Sequence, residues 1–162
     1  MRWSDVGKLD CTIARTLSVI GDRWTLLILR DAFLGMRRFD GFQRSLGLTR
    51  HRLADRLEKL VEHGVLRREQ YQDRPPRCEY RLTEKGIELY GVVVTIADWG
   101  DRHMAGKKGP VVERVHRGCG HPTRILLTCE QCGDPVTARD MTARPGRGAR
   151  RPPGGGSTEE RA

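Results

Sequence analysis

Apolar residues recur every three to four positions through most of residues 12–103, and that period divides the stretch into helices. Ile13, Leu17 and Ile20 predict a helix over Thr12–Ile20, ended by Gly21, with Asp22 placed to cap the next one. Arg23–Leu34 (RWTLLILRDAFL) is apolar on nearly every side, so this helix is expected at the centre of the fold, stopped by Gly35. Phe39, Phe42, Gln43 and Leu46 stand at i, i+3, i+4 and i+7 and predict a short third helix, then a tight turn at Gly47-Leu48. Thr49 is a suitable N-cap for a fourth helix running to about His63. Its apolar stripe is Leu53, Leu57, Leu60 and Val61, and Gly64 is its natural C-cap.

The period then changes. Val65–Tyr71 and Cys78–Leu82 have strand composition, and Gln72-Asp73-Arg74-Pro75-Pro76-Arg77 between them reads as a hairpin with a stiff basic tip. Thr83 is placed to cap a last long helix from Glu84 to about His103, with Ile87, Leu89, Tyr90, Val93, Val94, Ala97 and Trp99 as its apolar positions. The order helix, helix, helix, glycine turn, helix, hairpin, helix is that of a winged helix-turn-helix: a mainly α fold with a small β wing. Residues 1–106 are expected to form this domain. Residues 111–137, which mix short apolar pieces with Cys, His and Gly, suggest a small zinc-ribbon-like module. Residues 142–162 (TARPGRGARRPPGGGSTEERA) have almost no core-forming residues and read as a disordered basic tail.

Charge sharpens the picture. The 162-residue chain carries 30 Lys and Arg against 21 Asp and Glu, a net +9, which favours a polyanionic partner. From Arg37 to Arg81 there are 12 basic and 7 acidic residues, so this segment alone holds +5 of that excess. With Leu53, Leu57 and Leu60 facing the core, Arg50, His51, Arg52, Asp55, Arg56 and Lys59 occupy the rest of the fourth helix. Arg50–Arg52 fall in its first turn, where a recognition helix usually meets base edges. Arginine reads guanine by donating to O6 and N7. Thr49, at the turn, joins this candidate DNA face. Pro75-Pro76 would present Arg74 and Arg77 at reduced entropic cost, suiting phosphate or minor-groove contact. Arg37 and Arg38 precede the third helix, where side chains and helix-end N–H groups can grip phosphate, and Arg44 is a weaker candidate. The plain alternative is a solvated helix face on which Arg56 pairs with Asp55 or Glu62, and a merely rigid turn at the wing.

These stretches resemble the HxlR-type regulators, a MarR-like branch of winged-helix proteins. The resemblance is carried by CTIARTL from Cys11, IGDRWTLLILRD from Ile20, RRFDGFQRSLGLTRHRLADRLEKLVEHGVL from Arg37, CEYRLTEKG from Cys78 and ADWGDRH from Ala97. It runs from Cys11 to about Arg102. Thr12 is a departure, since members often have proline there. The resemblance implies a homodimer whose terminal helices pair across a two-fold axis, with each recognition helix entering one of two successive major grooves. The partner would be double-stranded DNA with a palindromic operator, and the activity transcriptional control, repression being the expected sign. It also implies response to a small molecule or an oxidant. Cys11, near the start of the first helix, is the candidate sensor, because a helix N-terminus favours the reactive thiolate; a small buried residue at the dimer seam is the alternative. Trp24, Phe33 and Trp99 are candidates for an effector pocket, or for plain core packing.

His116-Arg-Gly-Cys119-Gly and Cys129-Glu-Gln-Cys132-Gly are two copies of one pattern: ligand, two residues, Cys, Gly. Imidazole and thiolate suit tetrahedral zinc, so a structural zinc is the expected cofactor, with His121 a rival to His116. A metal-free hairpin or a redox cysteine pair are the alternatives. Cys78 in the wing is expected only to pack.

Other classes are disfavoured. No stretch approaches the ~20 apolar residues of a membrane span, and the first ten residues carry no apolar signal core, so a cytoplasmic protein is expected. There is no nucleophile elbow, P-loop or dinucleotide fingerprint, so no enzyme is expected. A winged-helix protein-interaction module remains the competing function, since fold does not fix function.

Overall fold

A computed structural model describes residues 3–149. A 3-10 helix (Trp3–Lys8) leads into α1 (Thr12–Ile20) and α2 (Arg23–Phe33); α3 (Phe39–Leu46) and α4 (Arg50–Glu62) follow. The hairpin β1 (Leu66–Gln72) and β2 (Arg77–Leu82) comes next, then α5 (Glu84–Glu88) and α6 (Tyr90–Met104). The fold is therefore mainly helical with one two-stranded antiparallel sheet. No helix among the described residues is long and apolar enough to cross a membrane.

The core lies where the helical stripes converge. Ile28 and Leu29 of α2, Phe42 of α3, and Leu53, Leu57 and Leu60 of α4 are wholly buried, with Ile20, Leu48, Val65 and Leu66 closing the cluster. Removing this much apolar surface from water is the main drive for folding. It also fixes α4 rotationally, leaving the face opposite its leucines in solvent. Gly47 makes the tight turn between α3 and α4 in the left-handed region, φ +63°, which glycine adopts without penalty. The turn is braced by the Gln43 amide donating to the Leu48 carbonyl at 3.3 Å. Thr49 occupies the N-cap position of α4, but its side chain accepts no capping bond.

Asp22 caps α2, accepting from the backbone N–H of Trp24 (3.0 Å) and Thr25 (3.3 Å). It also receives the Arg56 guanidinium at 3.1 and 3.4 Å. Partial burial pushes its carboxyl up, but the Arg56 bond and the two N–H donors outweigh it and hold the group below the usual carboxylate range. A depressed folded pKa stabilises the fold above the unfolded value of about 3.9, and that contribution is lost as pH falls through the folded value. Asp22→Asn keeps a capping oxygen but loses the charge pair. At pH 7 it is expected to cost about 1 kcal/mol, the range of a modest ion pair. Chemical denaturation should show the gap between variant and wild type closing below about pH 4; a pH-independent gap would contradict the role of the charge.

The wing is wider than the hairpin. Arg38 forms a bridge with Glu79 of β2, and the Tyr80 N–H donates to the Arg37 carbonyl at 2.8 Å. The segment before α3 thus adds a short third edge to the sheet, giving α3 and the wing a common anchor. The single long helix expected after the wing is interrupted at Leu89. There the N–H bonds back three residues to Gly86, at 3.2 Å, and the chain tightens before α6 resumes. α5 is pinned to the sheet through Thr83, whose hydroxyl donates to the Gly64 carbonyl (2.6 Å) and accepts from the Gly86 N–H (3.1 Å). α6 instead packs across α2, with Phe33 and Tyr90 edge to face at 5.2 Å.

Beyond α6, residues 111–137 form two small hairpins, each closed by a single bridge, Val115 to Pro122 and Thr128 to Pro135. Arg114 ties them to α6 through Asp101, at 2.5 Å. Residues 142–149 are exposed and irregular, and the rest of the basic tail, 150–162, lies outside the described residues.

Candidate nucleic-acid interface

A groove of about 1010 Å³ opens between the start of α3, the first turns of α4, and the wing. Arg37, Arg38, Arg44, Arg50, Arg68 and Arg77 line it, against the carboxylates of Asp40 and Glu79. Pro75 and Pro76 form one lip, and the Arg74–Pro75 peptide is cis. Arg37, Arg38, Arg44, Arg50 and Arg77 of the sequence-predicted set are therefore brought to one place; Arg74, at the wing tip, does not line the groove, and the other exceptions follow.

Several of these side chains are oriented by neighbours. The Arg38 guanidinium lies over the Tyr71 ring at 4.9 Å and 3.5 Å from Glu79, so its charge is partly met within the protein. Arg50 lies over Phe39, also at 4.9 Å. A cation over an aromatic face gains about 0.5–1 kcal/mol at exposed sites; here it angles the first arginine of α4 towards the groove. Among the described residues no carboxylate forms an ion pair with Arg44, Arg50, Arg52, Arg74 or Arg77, while Arg37 feels the charge of Glu69. Unmatched cations on one face produce the field that draws a polyanion.

On α4, at about 100° per residue, His51 sits at the middle of the solvent face with Arg50 and Arg52 to either side. His51 pairs with Asp55 at 2.9 Å. Arg52 is exposed but lies outside the groove wall, as does Thr49. Arg56 is turned away: its guanidinium is engaged by Asp22, neither of the local carboxylates expected from sequence. Lys59, also read as a surface residue, donates to the Ser18 carbonyl at 2.6 Å and so binds α4 to the end of α1.

Arg68 was not among the sequence candidates. It stands on β1 opposite Tyr80, and the nearby Cys78 side chain raises its pKa further. Strand alternation in LRREQYQ could have placed it on the groove face once the strand's register was known. Cys78, half-buried, also borders the groove. Burial pushes the Tyr80 hydroxyl up, so it stays neutral there.

The remaining candidates lie elsewhere. Cys11 is exposed at the N-cap position of α1, where it makes no side-chain capping bond. Trp24 and Phe33 pack on the core cluster, while Trp99 is 54% exposed and stacks on His103 at 5.0 Å. None of the three lines the groove or the smaller cavity of about 450 Å³ between the end of α6 and the first small hairpin. In that hairpin His116 Nδ1 lies 3.3 Å from Cys119 Sγ. In the second, the N–H groups of Cys132 and Gln131 and the Cys132 side chain bond the Cys129 sulfur and draw its pKa down. The two pairs do not meet: no three His, Cys, Asp or Glu among the described residues gather closely enough to hold a metal.

The profile of the HxlR-like helix-turn-helix family matches residues 19–108, more than half of the chain. The chain belongs to that family. The matched range covers the core, the groove and all of α6, and leaves the two small hairpins outside. An uncharacterized HTH-type transcriptional regulator of Mycobacterium tuberculosis is 44% identical over 137 residues, 85% of this chain and 87% of the relative. The solved structure of PA1607, a candidate transcription factor, is 40% identical with a TM-score of 0.76, covering 85% of this chain and 96% of that one. The redox regulator HypR in its reduced form is 33% identical with a TM-score of 0.54, covering 57% of this chain and 92% of that one. This HxlR-like chain is thus, in kind, a transcriptional regulator of the helix-turn-helix type.

Proposed function

We propose that this HxlR-like protein is a homodimeric repressor that reads a palindromic operator in duplex DNA. α4 would lie in the major groove, with the wing on the adjoining backbone. The observation that carries the reading is the arginine-lined groove: six guanidiniums face two carboxylates between α4 and the wing. Phosphate contacts would position the protein and the α4 arginines would specify sequence. Exposed apolar side chains on the terminal helices, Ile13 and Leu17 of α1 and Val92, Ile96 and Trp99 of α6, support pairing with a second copy. Two-fold pairing would set the half-sites about one DNA turn apart. Titration of the full chain onto duplex DNA from its own upstream region, beside a shuffled duplex, tests this; at least ~10³-fold preference is expected. Absence of duplex binding even at low salt would favour a protein-interaction role instead.

The exposed Cys11 thiol at the start of α1 supports an oxidant as the signal, as does likeness to a regulator known in reduced and oxidized forms. An exposed thiol is open to oxidants in solution. Peroxide or quinone is expected to release the wild type from DNA and to leave Cys11→Ser bound; equal release from both would exclude Cys11 as the sensor.

A further inference from the structure

The two hairpins that follow α6 take no part in the groove, yet they repeat one geometry atom by atom. In the first, the Gly120 N–H donates to the His116 carbonyl at 2.7 Å, and Gly120 has φ +72°. In the second, the Gly133 N–H donates to the Cys129 carbonyl at 2.8 Å, and Gly133 has φ +77°. The flanking bonds correspond too: His116 N–H to the His121 carbonyl (3.0 Å) matches Cys129 N–H to the Asp134 carbonyl (2.8 Å). Thr123 N–H to the Arg114 carbonyl (2.8 Å) matches Val136 N–H to the Leu127 carbonyl (2.9 Å). The bridging prolines, Pro122 and Pro135, fall at the same offset. His116 therefore corresponds to Cys129, and Cys119 to Cys132.

Within each turn the side chains converge. His116 Nδ1 is 3.3 Å from Cys119 Sγ, and the ring folds over Gly118, where a Cβ would come within 2.9 Å of its Cε1. In the second turn Cys129 and Cys132 occupy the same two positions relative to the closing glycine. Such glycine-ended turns, each carrying two soft donors three residues apart, suit the two halves of a tetrahedral zinc site.

We propose that His116, Cys119, Cys129 and Cys132 are the four ligands of one zinc ion, which draws the two turns together across the short connection 124–126. No three of these side chains gather among the described residues, so binding would have to draw the two turns together. The three thiols release their protons to solvent, and their sulfur lone pairs and one imidazole nitrogen fill the tetrahedron. His121 stands outside the repeated pair, at the position that Asp134 holds in the second turn. The closed module would be fixed to the end of α6 by the Arg114–Asp101 pair.

The test uses the full chain, expressed with added zinc and purified without chelator. Elemental analysis is expected to find ~1 zinc per chain, and cobalt in its place should give the absorption of a tetrahedral thiolate site. Cys132→Ser and His116→Ala should each lose stoichiometric metal after dialysis while the helical circular dichroism of the main domain persists. Cys11→Ser and Cys78→Ser should keep it. No zinc in the wild type would overturn the site. Full zinc in His116→Ala would overturn the ligand set, and equal loss in Cys78→Ser would show the metal to be held elsewhere.

Discussion

Replacing Arg50 and Arg52 together with alanine is expected to remove most of the preference for the operator while the protein stays folded. Neither side chain belongs to the core: Leu53, Leu57 and Leu60 hold α4 in place, and the two arginines flank its solvent face. Arg50 would give up its stacking on Phe39, a loss of under about 1 kcal/mol in stability. Each good bidentate arginine–guanine contact carries ~1–3 kcal/mol of discrimination, so losing both should weaken operator binding by about 10²–10³-fold. Binding to shuffled duplex should fall less, because Arg37, Arg44 and Arg77 still line the groove and remain free to meet phosphate. Titrating both duplexes, with a thermal melt as fold control, reads the difference. An unchanged operator affinity would mean that α4 is not the reading element.

The second large effect falls on stability. Gly86→Ala is expected to destabilise the domain by about 3 kcal/mol, the upper part of the range for overpacking. An added Cβ would overlap the Val65 carbonyl oxygen and meet Leu82 Cδ2 at 3.1 Å. The carbonyl cannot step aside cheaply, because it accepts from the Thr83 N–H at 3.1 Å and belongs to the joint that ties α4, the wing and α5 together. A fall in melting temperature of about 10–20 °C should follow for a domain of this size. Gly91→Ala in α6 is the matched control: nothing lies within 4 Å of its added Cβ. It should be neutral or stabilising by about 0.5–1 kcal/mol, the helix-interior difference between the two residues. If both substitutions behave alike, close packing at Gly86 is not what holds the joint.

The helices were legible because each carries a local period. The α4 stripe of Leu53, Leu57 and Leu60 is wholly buried as expected, and Asp22 caps α2. What escaped is non-local. Arg56 finds Asp22, a partner brought close only by tertiary packing, so a helical wheel drew it as a free surface cation. Lys59 reaches the end of α1 for the same reason. The third edge of the wing rests on two residues before α3 that have no strand pattern of their own. Thr49 sits at the cap position without its side chain bonding, since residue type marks a cap position but does not fix the side-chain bond. The break at Leu89 follows from α5 and α6 being held by different partners, the sheet and α2, which the continuous apolar period does not reveal. Trp24, Phe33 and Trp99 share an aromatic character but not a cavity, since spacing along helices says nothing of which lobes enclose space.

The central claim is that the groove between α4 and the wing is the surface that meets DNA. The most direct measurement is the affinity for operator and shuffled duplexes across a series of salt concentrations, in the wild type and in Arg37→Ala/Arg77→Ala. Each phosphate contact contributes about 0.9 to the slope of log affinity against log salt. Operator preference with a wild-type slope steeper than about −3, made shallower by roughly 2 in the double variant, is the expected result. Equal slopes in the two proteins would contradict the claim and place the DNA on another face.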